Sequence, residues 1–168
     1  REENIDNDKT FQFLVNSLNA VAEKYKKPIV FSTHPRTKNK ILKNNTKFHS
    51  LIKNTPPFGF FDYVNLQKNS FMVISDSGTI SEESAMMNFP AVSIRTSTER
   101  PEAVDAGTIV IAGIKKDQII NSIEISRGLF KNGYNNIPWE YNVNDVSKKV
   151  VKVIQSYMPI VNNEIWKK

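Results

Sequence analysis

Phe71-Met72-Val73-Ile74-Ser75-Asp76-Ser77-Gly78-Thr79 is the stretch that decides the fold. Four apolar residues stop abruptly at a polar, glycine-containing turn, which is the pattern of a short buried strand rather than an amphipathic helix. A helical pattern follows over about 79–88, and Ala91 to Ile94 reads as another strand. Upstream, Phe11, Leu14, Val15, Leu18, Val21, Ala22 and Tyr25 recur at the three-four spacing of a helix face. Pro28 ends that helix, Ile29-Val30-Phe31 is a short strand, and Ser32-Thr33 are able to cap a helix opened by Pro35 and continued over 38–45. A further short strand is expected over 48–52. Downstream, Pro101 opens a helical stretch to 106, Thr108-Ile109-Val110-Ile111 is β-branched, and helical patterns close the chain over about 116–130 and 143–157. Strands alternating with helices predict βαβ units and one doubly wound, Rossmann-like parallel sheet. The expectation is a single α/β lobe over residues 1–168.

Composition bounds the rest. The chain has 168 residues, 39% hydrophobic and 24% charged, which suffices for a core and argues against disorder. No apolar run reaches the roughly 18 residues of a membrane span, and the start is polar rather than leader-like. With no Cys, a disulfide framework, thiolate metal sites and a Cys nucleophile are excluded, and two His leave little for a His-built metal site. No metal or cofactor is expected. A cytoplasmic domain is the default. The net charge of +6 is uneven, because residues 1–68 hold 12 basic and 6 acidic residues whereas 69–168 hold 11 of each. Such a skew suggests an anionic partner: nucleic acid, an acidic membrane surface or a phosphorylated small molecule. A solvated lysine-rich face explains it equally well.

Ligands of doubly wound sheets bind at the carboxyl ends of the strands, where loops lead into helix N-termini. Three loops fit. Ser75 to Thr79 offers hydroxyls, a glycine permitting close backbone approach and unpaired helix N–H groups, a cradle for phosphate; it lacks the spacing of a P-loop. The ordinary alternative is that Ser77 or Thr79 caps the helix. Glu82 and Glu83 suit the helix dipole, or one of them accepts hydrogen bonds from ribose; spacing does not choose between them. Arg95 to Glu102 carries Arg95 and Arg100, which either clamp a diphosphate or pair with Glu99 and Glu102. Ser32 to Arg36 carries His34, a donor to phosphate or sugar if it is not structural, whereas His49 is incidental. No pair of acids is poised for acid–base chemistry.

Together, Arg1-Glu2-Glu3-Asn4, Ser32-Thr33-His34-Pro35-Arg36, the segment Pro57 to Tyr63, Ser75-Asp76-Ser77-Gly78-Thr79-Ile80-Ser81-Glu82-Glu83 and the segment Thr98 to Gly107 resemble the C-terminal lobe of the non-hydrolysing UDP-N-acetylglucosamine 2-epimerase family. The match covers most of 1–113 and weakens afterwards. The family carries His-Arg ahead of the Glu-Asn found here at Glu3-Asn4, so the chain is expected to begin inside that motif, with the N-terminal lobe absent. The wording at 32–36 and 59–63 resembles the branch forming UDP-N-acetyl-L-fucosamine.

The resemblance implies one lobe of a GT-B-type two-domain fold. The whole enzyme would invert C2 of a UDP-N-acetylhexosamine by eliminating UDP to a glycal and re-adding it, supplying precursors of bacterial surface polysaccharide. This lobe would bind UDP. Ser77, Gly78 and Thr79 with the helix N-terminus would hold the diphosphate, and Glu83 the ribose hydroxyls. The Tyr63 segment would flank uracil, Arg36 would contact substrate, and Arg100 would stabilise the departing diphosphate. His34 falls where the family has an active-site His, although the spacing to Pro35 differs. Thr79 replaces a second Gly common in the family. The acid–base carboxylates would lie in the other lobe, and the full-length enzyme is expected to be a homodimer that binds neither nucleic acid nor membrane. The rival enzyme reading is the nucleotide-binding lobe of a GT-B glycosyltransferase. Outside the enzymes, a nucleic-acid module would use the lysines of 24–53, but no stacking aromatics interleave with them; a silent nucleotide sensor is the third reading.

Overall fold

A computed structural model describes residues 5–134 and 136–168. The match at Arg1–Asn4 therefore lies outside the described residues. The described residues up to 138 form one compact unit and 139–168 a second. In the first, α1 (Asp8–Tyr25) leads to β1 (Ile29–Ser32), α2 (Pro35–Lys43), β2 (Ile52–Thr55), α3 (Phe60–Asn69), β3 (Val73–Ser75), α4 (Ile80–Met87), β4 (Ala91–Ser93), α5 (Pro101–Asp105), β5 (Val110–Ile111) and α6 (Lys116–Lys131). The second unit holds α7 (Val146–Val161), which continues into a π-helical turn over Asn162–Trp166.

All strand pairs are parallel, as the strand–helix alternation predicts, but the hydrogen bonds divide them into two sheets, β1-β2 and β3-β4-β5. The core bridges the two. Phe11, Leu14, Val15, Leu18, Val21 and Ala22 from one face of α1 cluster with Ile52 of β2, Val92 of β4, and Ile119 and Ile123 of α6. The helices are also tied to the strands by polar bonds. Ser17 Oγ donates to the Ile114 carbonyl (3.1 Å), and Ser126 Oγ to the Ala91 carbonyl (3.1 Å). Arg127 of α6 donates to the Phe71 carbonyl (3.1 Å) and lies 4.2 Å from the Phe71 ring centroid.

Several boundaries differ from the sequence reading. α1 starts earlier because the Asn7 side chain accepts from the amides of Lys9 and Thr10, and it ends where Lys26 turns left-handed at φ 51°. The second strand lies at Ile52–Thr55 rather than 48–52. The Ile52 amide is taken by the His49 carbonyl in a turn, and His49 fixes that turn by accepting from the Leu51 amide at Nδ1 (3.1 Å). Neither Ser32 nor Thr33 caps α2. Thr33 is buried with its hydroxyl donating to the Thr55 carbonyl (3.2 Å), and the capping acceptor is His34. Helix α3, absent from the sequence reading, carries Phe60, Tyr63 and Val64 at helical spacing but fully buries only the polar Gln67.

Phe11 is 2% exposed in the centre of the shared core. Phe11→Ala is expected to cost about 3–5 kcal/mol in urea unfolding. A cost below about 1 kcal/mol would show that α1 does not hold the two sheets together.

Candidate functional site

The register of the sheets assembles the site. Ser75 pairs with Ser93, and the Ile94 amide donates to the Ser75 carbonyl at 3.0 Å, so the loops after β3 and β4 leave the same edge side by side. In the other sheet Ser32 pairs with Thr55, which brings out together the loop carrying His34 and the one leading to α3.

The loop after β3 is held by its own hydroxyls. The Ser77 amide donates to Ser75 Oγ (3.1 Å), and the Ser77 and Thr79 hydroxyls are 2.9 Å apart. Thr79 stands at the N-cap position of α4, yet its hydroxyl donates to Glu83 Oε1 (2.7 Å) and the helix has no side-chain cap. The capping alternative therefore does not account for these hydroxyls. The uncapped first turn, carrying the positive end of the helix dipole, faces the exposed Ser77-Thr79 loop, which is the arrangement that favours an anion. Gly78 is not in the left-handed region. A Cβ there would meet only Arg95 Nη1 at 3.5 Å, an ordinary contact.

The two adjacent acids have separate jobs. Glu82 binds the Arg100 Nε in an ion pair, with both side chains about a third exposed or less, while its Oε2 is buried without a hydrogen bond. Glu83 instead turns toward α3, where Gln67 Nε2 donates to its Oε2 at 2.5 Å. Tyr63, one turn earlier on α3, belongs to the same group: burial first, then the Glu83 carboxylate, raises its phenol above the ordinary value, and a Gln67 hydrogen bond partly opposes this. The phenol is thus a proton-bearing donor at neutral pH.

Arg95 and Arg100 do not act as a matched clamp. Arg95 is only 5% exposed, its Nη2 bonds Glu99 at 2.6 Å and its Nε is buried without an acceptor. It lies behind Gly78 rather than at the surface, so the ion-pair alternative holds for it. Arg100 is half-buried and tied to α4 through Glu82.

His34 is exposed and caps α2, its Nδ1 accepting from the Arg36 amide at 3.5 Å. In the neutral ring that acceptor role leaves the proton on Nε2, a donor facing outward. The Arg36 guanidinium bonds Asp6 at 2.7 Å. These two residues hold the start of α2, while Ser77, Thr79, Glu83, Gln67 and Tyr63 form one connected group beside Glu82 and Arg100. Gln67 is the member that sequence reasoning missed, because no periodic signal marks a lone buried amide.

Among the described residues no helix is long and apolar enough to cross a membrane. The chain is 39% identical over 128 residues to a UDP-N-acetylglucosamine 2-epimerase of Methanococcus maripaludis, an alignment covering 74% of this chain and 35% of the relative. Solved structures share its fold. The UDP-N-acetylglucosamine 2-epimerase of Rickettsia bellii superposes with TM-score 0.83 at 35% identity, over 96% of this chain and 45% of that one. The Methanocaldococcus jannaschii enzyme in complex with UDP-GlcNAc and UDP gives 0.82 at 29%, over 93% and 43%. The chain thus spans about a third of its curated relative and under half of the solved chains. The family model for UDP-N-acetylglucosamine 2-epimerase matches residues 1–155, nearly the whole chain and all of the connected group just described, and the chain belongs to that family.

Proposed function

We propose that this chain is the UDP-binding, C-terminal lobe of a 2-epimerase acting on a UDP-N-acetylhexosamine. The observation that carries the reading is the uncapped N-terminus of α4 with four functional side chains around it: the Ser77-Thr79 hydroxyl pair, the Glu83 carboxylate and the Glu82-tethered Arg100. A nucleoside diphosphate needs these groups in this order. Backbone N–H groups at Gly78 and the helix start receive the diphosphate, Glu83 accepts from the ribose hydroxyls, and Tyr63 flanks the uracil. The complex named for the Methanocaldococcus jannaschii relative, with UDP-GlcNAc and UDP, is of the same chemical class.

The reaction proposed for the whole enzyme is inversion at C2 by elimination and re-addition of UDP. Removal of the proton at C2 with cleavage of the C1–O bond gives a glycal and UDP, and re-addition of UDP with protonation of the other face inverts C2. Negative charge grows on the β-phosphate as the bond breaks. Fixed donors aimed there, Arg100 and the α4 amides, lower the barrier because they need no reorganisation. His34, with its outward Nε2 proton, and Arg36 contribute from the neighbouring sheet edge. The carboxylates that move the C2 proton belong to the remainder of the protein, as does the surface that excludes water while the glycal waits. The product would serve bacterial surface polysaccharide synthesis.

In the full-length protein, Arg100→Ala should lower epimerase turnover by about two to three orders of magnitude, with the far-ultraviolet circular dichroism spectrum unchanged. Unchanged turnover would remove Arg100 from the reaction. Gly78→Ala separates fold from ligand. Since a Cβ there meets only an ordinary contact, stability should shift by less than about 1 kcal/mol in urea unfolding. UDP affinity, measured calorimetrically, should fall at least tenfold. Retained affinity would contradict a diphosphate lying against this backbone.

A further inference from the structure

Helix α3 presents an anomaly. Its only buried residue is Gln67, 3% exposed, whereas Phe60 and Phe61 of the same helix are 74% and 85% exposed. An apolar side chain would be the default at a helix's single buried position, because burying an amide is unfavourable unless its hydrogen bonds are replaced. Here they are replaced only in part. Nε2 donates to Glu83 Oε2 at 2.5 Å, while Oε1 is buried without a hydrogen bond. The amide orientation follows from charge, since the opposite one would set the oxygen against a carboxylate. A half-satisfied amide is a poor device for stability.

We infer that Gln67 is a positioning residue, holding the Glu83 carboxylate in the one orientation that reads the ribose hydroxyls of the bound nucleotide. The inference rests on the assignment of Glu83 to ribose made above. Each Glu83 oxygen takes one donor from the protein, Oε1 from Thr79 and Oε2 from Gln67. A carboxylate oxygen has about two lone-pair directions, so one per oxygen remains, a matched pair for the 2′ and 3′ hydroxyls. The Thr79 arm comes from the exposed diphosphate loop and the Gln67 arm from the buried side. The rigid arm is therefore Gln67.

The test compares UDP with 2′,3′-dideoxy-UDP, which lacks both hydroxyls, by calorimetry on the full-length protein. The wild type should prefer UDP by roughly tenfold or more, the scale of hydrogen bonds to a charged group. Gln67→Met, close in volume, should bring that ratio to within about twofold of unity while leaving dideoxy-UDP affinity nearly unchanged. A purely structural role for Gln67 would instead weaken both ligands alike. Gln67→Glu, which is isosteric, supplies the second reading. Discrimination should be lost at pH 8, where two carboxylates repel, and should recover toward pH 6 as the introduced carboxyl regains a proton to donate. A wild type that discriminates together with variants that keep the full ratio overturns the role of Gln67 and leaves Glu83 in place. A wild type with no preference overturns the ribose assignment itself, and the role of Gln67 with it.

Discussion

The parallel pairing of β3 with β4 is the constraint on which the remaining site geometry depends. Its register, Val73 on Ala91 and Ser75 on Ser93, sets where two loops end and two helices begin. A one-residue slip would turn Val92, fully buried, to the opposite face of its strand. It would also carry Arg100 away from Glu82. The packing of α1 and α6 against the strands therefore does more than stabilise: it holds the register that brings the end of β4 to the start of α4.

Charge is arranged around that edge so that each ionic group has a partner before any ligand arrives. Glu82 holds Arg100, Glu99 holds the buried Arg95, and Thr79 and Gln67 hold Glu83. Preorganisation of this kind moves the cost of ordering side chains from the binding step to folding. The lysines over 24–53, by contrast, contribute largely elsewhere. Lys24 pairs with Glu124 and Lys40 with Asp8.

How far the sequence was legible follows from which interactions are local. The strand-turn-helix at 71–88 could be read directly, since a four-residue apolar run, a glycine turn and a first-turn acid pair each leave a local mark. The parallel α/β class followed from alternation alone. Strand β2 was misplaced because Phe48 and Leu51 are apolar yet pack against the core from a loop, leaving the pairing to the more polar Ile52–Thr55. Helix α3 escapes the sequence reading because Phe60 and Phe61 point outward, Tyr63 and Val64 are only partly buried, and its one fully buried side chain is polar. Spacing could not choose between Glu82 and Glu83, and the resemblance pointed to Glu83; their partners, 18 residues ahead and 16 behind, separate them. The split of the strands into two hydrogen-bonded sheets is likewise a matter of long-range pairing that local pattern cannot place.

On the proposed reading, the edge formed by β3, β4 and the start of α4 holds a uridine diphosphate. The most direct measurement is a calorimetric titration of UDP into the 168-residue chain itself, which carries every group assigned to the nucleotide. Saturable one-to-one binding is expected, weak in the absence of the rest of the protein but complete by millimolar UDP. Absence of any binding heat at millimolar UDP, with the chain folded, would contradict it.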